Sequence, residues 1–216
     1  MRRVALVLTQ VRGGSIDELK KITNAMRLIM ATDLSIDYRG FLGDGPQSVD
    51  ADALSDVFVD KYWLMCATEP SVFMIDLESY TYLWDATYER VVAVYGTSPG
   101  PQPGRAPREK PRIAYYYRNI VSHYRQAAPL DTGHFIAHSL GGRLDINLFP
   151  QRRDINRGLS AEGRFYRAME RAAASSPGAF LFSRPIYFDE TWMPYFLEYG
   201  LCREGADFET RIFDNV

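Results

Sequence analysis

Residues 131 to 142 read D-T-G-H-F-I-A-H-S-L-G-G, and two kinds of chemistry can be built from them. In the second half, Ser139 stands in a small-x-Ser-x-Gly pattern, the form of a strained turn that presents a serine nucleophile. In the first half, His134 closes what reads as a short strand. An imidazole placed there can serve as a general base, since its ordinary pKa of about 6.5 leaves a neutral fraction at pH 7.

The serine reading needs more than the turn, because Ser139 must have a histidine base and an acid that orients it. In lipase-type α/β-hydrolases the chain order is serine, acid, histidine. Here His123, His134 and His138 all precede Ser139, so the turn and the histidines contradict each other. Ser139-Leu140-Gly141-Gly142 then reads as a turn whose glycines accept positive φ. A serine hydrolase using Ser139 is the third-ranked function.

The first half is supported by the residues downstream of it. The chain continues R-L-D-I-N-L-F-P-Q-R-R-D-I-N-R-G and, a few residues on, F-Y-R-A-M-E. From 131 to 170 this resembles the DNA/RNA non-specific endonucleases of the ββα-metal, or His-Me finger, superfamily. Their pattern is approximately D-R-G-H, a loop, N-L-x-P-Q, then N-x-G, then an aromatic and an acidic residue on a helix. P-G-A-F-L-F-S-R-P-I-Y-F-D-E-T-W-M-P, continuing to Gly200, is similar to the strands that close such a domain. The resemblance implies an α+β fold with a ββα-metal nuclease core and antiparallel strands, and it gives residues 1–96 no family.

Roles carried over by that resemblance agree with the chemistry. Phosphodiester hydrolysis requires a base to activate water, a cation to neutralise charge developing on phosphate, and help for the departing oxygen. His134 matches the general base and Asn156 the metal ligand. An amide oxygen is a hard donor, and Mg²⁺ keeps waters where the protein offers few ligands, so Mg²⁺ is the expected cofactor with Mn²⁺ as its substitute. Asn147 matches the asparagine that holds the loop and aligns the base, and Glu170 matches the acid that organises the ion's waters. On an unbroken helix Asn156 and Glu170 would lie roughly 21 Å apart along the axis. R-G-L-S-A-E-G between them, with two glycines, predicts a break that returns Glu170 to the site; failing that, Glu162 takes its place. Thr132 stands where the family has arginine, and Arg143, Arg152, Arg153 and Arg157 are the candidates to supply its phosphate contacts. His138 falls outside the pattern and reads as structural.

Around these residues, Ser15-Ile16-Asp17-Glu18 has the form of a capping box, and apolar residues at helical spacing predict a helix over 16–31. Val4 to Val11 reads as a strand. A second helix is expected within 48–66, capped by Ser48 or Asp50, and an antiparallel meander over 71–95 from its β-branched and aromatic runs. Residues 97–112 hold five prolines and two glycines, too many for a regular element. They divide the chain into an N-terminal α+β region, 1–96, and a nuclease region, 113–216. The first region is an adaptor, an inhibitory element, or the scaffold for one side of the same domain's sheet. Tyrosines and arginines over 114–127 could stack on bases and hold phosphates, but an aromatic stripe more often packs into a core.

At 216 residues, 46% hydrophobic and 24% charged, the chain is an ordinary globular protein rather than a disordered or coiled-coil one. Cys66 and Cys202 are its only cysteines, which indicates neither a zinc site nor a disulfide scaffold. No apolar run reaches the roughly 18 residues of a membrane span, and the N-terminus lacks the cleavage site of a signal peptide. A cytoplasmic protein or one exported by a specialised system is expected. The net charge of −2 conceals a basic block: residues 105–171 carry 13 Lys and Arg against 6 Asp and Glu, a distribution suited to a polyanion. The expected partners are DNA and RNA, with an inhibitor or immunity protein, since an indiscriminate nuclease must be restrained. The resemblance makes a bacterial toxin or effector the expected setting. The second-ranked function is a catalytically inactive, nuclease-derived module that binds nucleic acid or protein.

Overall fold

A computed structural model of the chain describes residues 33–101 and 129–215. The strand expected over 4–11, the helix over 16–31 and the tyrosine-arginine segment 114–127 lie outside them. Asp50 caps helix α1 (Ala51–Trp63), its carboxylate accepting the Ala53 N–H at 3.0 Å. Ser48 instead closes a 3₁₀ turn, Pro46–Ser48. The meander follows as β1 (Val72–Leu77), β2 (Tyr80–Asp85) and β3 (Arg90–Thr97). After residue 129 come β4 (Leu130–His134), β5 (Leu148–Arg152), the single turn α2 (Arg153–Asn156), α3 (Ala161–Ala174), then β6 (Phe180–Ile186), β7 (Phe196–Cys202) and β8 (Glu209–Asp214).

Six strands form one antiparallel sheet in the order β1-β2-β3-β6-β7-β8, while β4 and β5 pair as a separate hairpin. The joint between β3 and β6, with Val94 opposite Ser183 and Thr97 opposite Phe180, puts residues from both sides of the proline-rich segment into a single sheet. Central strands β6 and β7 are buried along their whole length. Both faces are covered, so even their charged residues, Arg184 and Glu198, are buried.

One face carries α1 and the segment after residue 33, where Leu34, Leu54, Phe58 and Tyr62 pack on Leu83, Val92 and Phe182. The opposite face carries the hairpin and α3: Phe135, Ile136, Phe149, Ile155, Tyr166 and Met169 pack on Val94, Leu181, Leu197 and Tyr199. The sheet is therefore the middle layer between α1 and the unit that holds the candidate site.

Two ionic networks fasten the outer layers to the sheet. Arg184 and Glu198 face each other across β6 and β7, both nearly inaccessible, with Nε donating to Oε2 at 2.6 Å. Arg184 Nη2 also donates to the Leu34 carbonyl at 2.9 Å. Asp85 accepts the Tyr62 hydroxyl at 2.7 Å, and Arg90 donates to that hydroxyl and to the carbonyls of Asp189 and Thr191. Its guanidinium stacks 4.0 Å from the Tyr187 ring centroid, an arrangement that suits arginine rather than lysine. Cys66 and Cys202 are both thiols, not a bridge.

Candidate active site

His134 is the last residue of β4, opposite Leu148 on β5. Strand alternation puts Leu130, Thr132 and His134 on one side and Asp131 and Gly133 on the other. The His134 carbonyl accepts the Tyr166 hydroxyl of α3 at 3.4 Å, so the helix grips the backbone of the residue. Burial pushes the Tyr166 hydroxyl well above its ordinary pKa, and the charge of Glu170 adds to this, keeping it a proton donor.

The loop after His134 is pinned by Asn147, which is fully buried. Its Oδ1 accepts the Ile136 N–H at 2.8 Å, and its Nδ2 donates to the carbonyls of Ile136 at 2.8 Å and Arg143 at 3.1 Å. One amide side chain thus closes both ends of the loop. Gly142 makes this closure sterically feasible: a Cβ there would stand 1.8 Å from the Ile136 oxygen and 2.7 Å from Asn147 Nδ2. Ser139 is exposed on the 3₁₀ turn His138–Leu140. The strand has ended five residues earlier and no helix follows at once, so the strand-serine-helix elbow is not formed.

Asn156 ends α2, which comes directly after β5. Its Nδ2 donates to Asp131 Oδ2 at 3.5 Å, a long contact at the limit of a hydrogen bond, directing the amide oxygen away from the carboxylate. The predicted helix break is present. Gly158 has φ 69°, and Ser160 caps α3 by accepting the Gly163 N–H at 3.0 Å. Helix α3 then crosses over α2 with Gly163 at the contact, where a Cβ would lie 2.2 Å from the Asp154 oxygen. Glu170 is buried on the face of α3 that also carries Tyr166, one turn away, and Arg167 donates to its Oε2 at 2.5 Å. Glu162 accepts the Asp214 N–H at 3.0 Å and lies 4.0 Å from Arg152, so it is engaged with the end of β8.

Each of the four arginines singled out from the sequence meets a carboxylate. Arg143 bonds Asp145 at 2.7 Å and Arg152 bonds Asp154 at 2.6 Å, while Arg153 at 3.0 Å and Arg157 at 2.6 Å share Asp131. The last two guanidinium groups remain 43% and 57% exposed, and can therefore reach a polyanion from where they are held. Asp131, which has no role in the sequence reading, joins β4 to Arg153, Asn156 and Arg157. Its place in the D-T-G-H tetrapeptide is visible in the sequence, but its partners are 22 to 26 residues away. His138, which reads as structural, has its ring centroid 6.5 Å from that of His134.

These ion pairs set an acid limit on stability. Hydrogen bonds from Arg152 hold Asp154 down from 3.8 to about 2. Burial alone would raise the Asp131 carboxyl, but its bonds to Arg157 and Arg153 outweigh that and hold it below its ordinary value. A depressed carboxylate contributes stability that is fully present above the unfolded pKa and is lost as pH falls through the folded one. Melting temperature should therefore drop as pH is lowered from 3.8 toward about 2, and Asp154→Asn should show a shallower drop. An equal acid dependence in the variant would mean the pair contributes nothing.

No family model matches the chain, and no curated protein matches it. Among solved structures it is similar to a chain in the crystal structure of the EndoG/EndoGI complex, described for the mechanism of EndoG inhibition. The TM-score is 0.47 and the identity 16%, over 66% of this chain and 74% of that one.

Proposed function

We propose that this protein is a metal-dependent endonuclease with a ββα-metal core, hydrolysing phosphodiester bonds of DNA and RNA with little sequence preference. The observation that carries the reading is the contact of Asn156 with Asp131 on the strand that ends in His134, which ties the turn bearing the expected metal ligand to the strand bearing the expected base. In the reaction His134 accepts a proton from water as the water oxygen bonds to phosphorus and the 3′ oxygen departs. Asn147 keeps the loop beyond the base in place, and the half-exposed Arg153 and Arg157 hold flanking phosphates. Contacts to phosphate read no base edges, which favours a non-specific enzyme.

The donor set fits a hard divalent ion. Among the described residues no group of three His, Cys, Asp or Glu side chains converges as a ligand cluster. Asn156 would hold the ion through its amide oxygen, with Glu170 ordering the waters around it, a combination that suits Mg²⁺ or Mn²⁺. When bound, the ion neutralises charge building on the phosphate and the leaving oxygen. Plasmid and total-RNA digestion should proceed with Mg²⁺ and stop with EDTA. Asn156→Ala should need far more Mg²⁺ for the same rate, and unchanged metal dependence in that variant would remove Asn156 from the ion.

One observation favours a second reading, a nuclease-derived module that binds nucleic acid without cutting it: Thr132 is exposed with no arginine in its place, and the neighbouring arginines are carboxylate-bound. Retention of nucleic acid with no cleavage under any metal would decide for it. A restraining partner, such as an inhibitor or immunity protein, is proposed with the nuclease reading, as is a toxin or effector setting. No helix among the described residues is long and apolar enough to cross a membrane.

A further inference from the structure

Resting on the phosphate contacts of the nuclease reading, we propose that Asp131 is a positioning residue for substrate, setting Arg153 and Arg157 as one two-armed clamp for a nucleic-acid backbone. The elements around it explain why the three residues meet. Asp131 lies on β4 opposite Gln151 of β5, and α2 starts at Arg153, directly after β5. The Arg153 N–H donates to the Pro129 carbonyl at 2.9 Å, which brings the start of α2 back to the start of β4. The Arg157 N–H donates to the Arg153 carbonyl, also at 2.9 Å, so the two side chains leave the same face of one helical turn. That face meets Asp131.

The bonds fix direction as well as position. Arg157 grips the carboxylate as a fork, with Nε donating to Oδ2 at 2.6 Å and Nη2 to Oδ1 at 3.1 Å, which sets the plane of its guanidinium. Arg153 adds Nε to Oδ1 at 3.0 Å. These bonds use only part of each guanidinium's donor set. The carboxylate is the inner partner, 13% exposed, and the two half-exposed cations are the outer ones.

Charge balance separates this cluster from its neighbours. Arg143 faces Asp145 and Arg152 faces Asp154, one carboxylate to each arginine, with Glu162 a further 4.0 Å from Arg152. Asp131 meets two arginines with a single negative charge, so the cluster stays net positive. Burial raises the Asp131 carboxyl, but its bonds to Arg157 and Arg153 outweigh this and hold it below its ordinary value, which keeps the negative charge in place at neutral pH. Without that charge the two guanidinium groups would repel each other, and the nucleic acid itself would have to order both long side chains, at a cost in affinity. Charge counting and positioning therefore predict opposite signs. Removing an acid beside a polyanion site tightens binding where charge alone acts, and loosens it where the acid aims the cations.

Binding of the full chain to a short labelled DNA duplex, followed by fluorescence anisotropy at low salt, reads that sign. EDTA keeps the duplex intact and keeps out any ion at Asn156, which also touches Asp131. Asp131→Asn should weaken binding about 5- to 30-fold, the cost of ordering two long side chains on binding. In an Arg153→Met, Arg157→Met background the same change should have no further effect. Binding by Asp131→Asn as tight as wild type or tighter, an equal loss in the background without the two arginines, or a wild type that does not bind would each overturn the proposal. Should Asp131→Asn fail to fold, Arg153→Lys with Arg157→Lys decides the matter, since it keeps both charges but cannot form the fork. It should bind about 5- to 30-fold more weakly, and wild-type affinity would overturn the clamp. Where the wild type cuts DNA and Asp131→Asn binds as tightly, this inference alone fails. Where the expected binding losses appear but no metal supports cleavage, the nuclease reading fails and the clamp stands as the nucleic-acid site of a protein that does not cut.

Discussion

His134→Ala is expected to lower DNA and RNA cleavage by about 10²- to 10⁴-fold, the contribution typical of a positioned general base, while the protein stays folded. Two features separate the chemistry from the fold at this position. The contact made by α3 is to the His134 carbonyl, from Tyr166, and a backbone acceptor survives removal of the ring. The loop beyond it is closed by Asn147. Circular dichroism and melting temperature should therefore stay close to wild type while digestion of plasmid and total RNA collapses. Cleavage by His134→Ala at the wild-type rate would remove His134 from the reaction, and with it the proposed function.

Glu198→Leu should cost about 3–5 kcal/mol of folding stability, the penalty for stranding a buried charge. Arg184 is 1% exposed, and its guanidinium is held in the charged state against its burial chiefly by the Glu198 carboxylate. Leucine would leave that charge in the middle of a sheet covered on both faces. At roughly 2–4 °C per kcal/mol for a chain of this size, the melting temperature should fall by about 6–20 °C. Arg184→Met combined with Glu198→Leu should regain most of the loss, since an apolar pair leaves no charge uncompensated. The Leu34 carbonyl would still lose its bond to Arg184, so a remainder tied to the segment after residue 33 is expected. A double variant as unstable as the single one would show that the pair is needed for more than mutual neutralisation.

Much of the local structure is legible in the sequence. Helix α1 is expected there with Asp50 as one of two caps, and the competition resolves because Ser48 spends its hydroxyl on Gly45. The meander is readable from β-branched and aromatic runs separated by polar turns. The break between α2 and α3 is readable from two glycines in seven residues, and the two act differently, since Gly158 turns the chain while Gly163 admits the backbone of α2. Less legible is which strand pairs with which. Nothing in R-V-V-A-V-Y-G-T says that β3 adds to β6, more than eighty residues onward, because a strand's periodicity reports its faces and not its neighbour.

The candidate site divides along the same line. By itself the sequence determined the residue types available and their order: a histidine closing a strand, an asparagine in the loop return, another at a helix end, an acid on the following helix, and arginines among them. These arise from local spacing, capping and turn chemistry, which act over a few residues. Only the tertiary structure decided that Asp131 gathers Arg153, Asn156 and Arg157, and that Glu162 is taken by the end of β8. Those relations depend on where the hairpin and α3 dock on the central sheet. That docking is set by apolar packing between distant segments, for which no short window of the chain carries the signal.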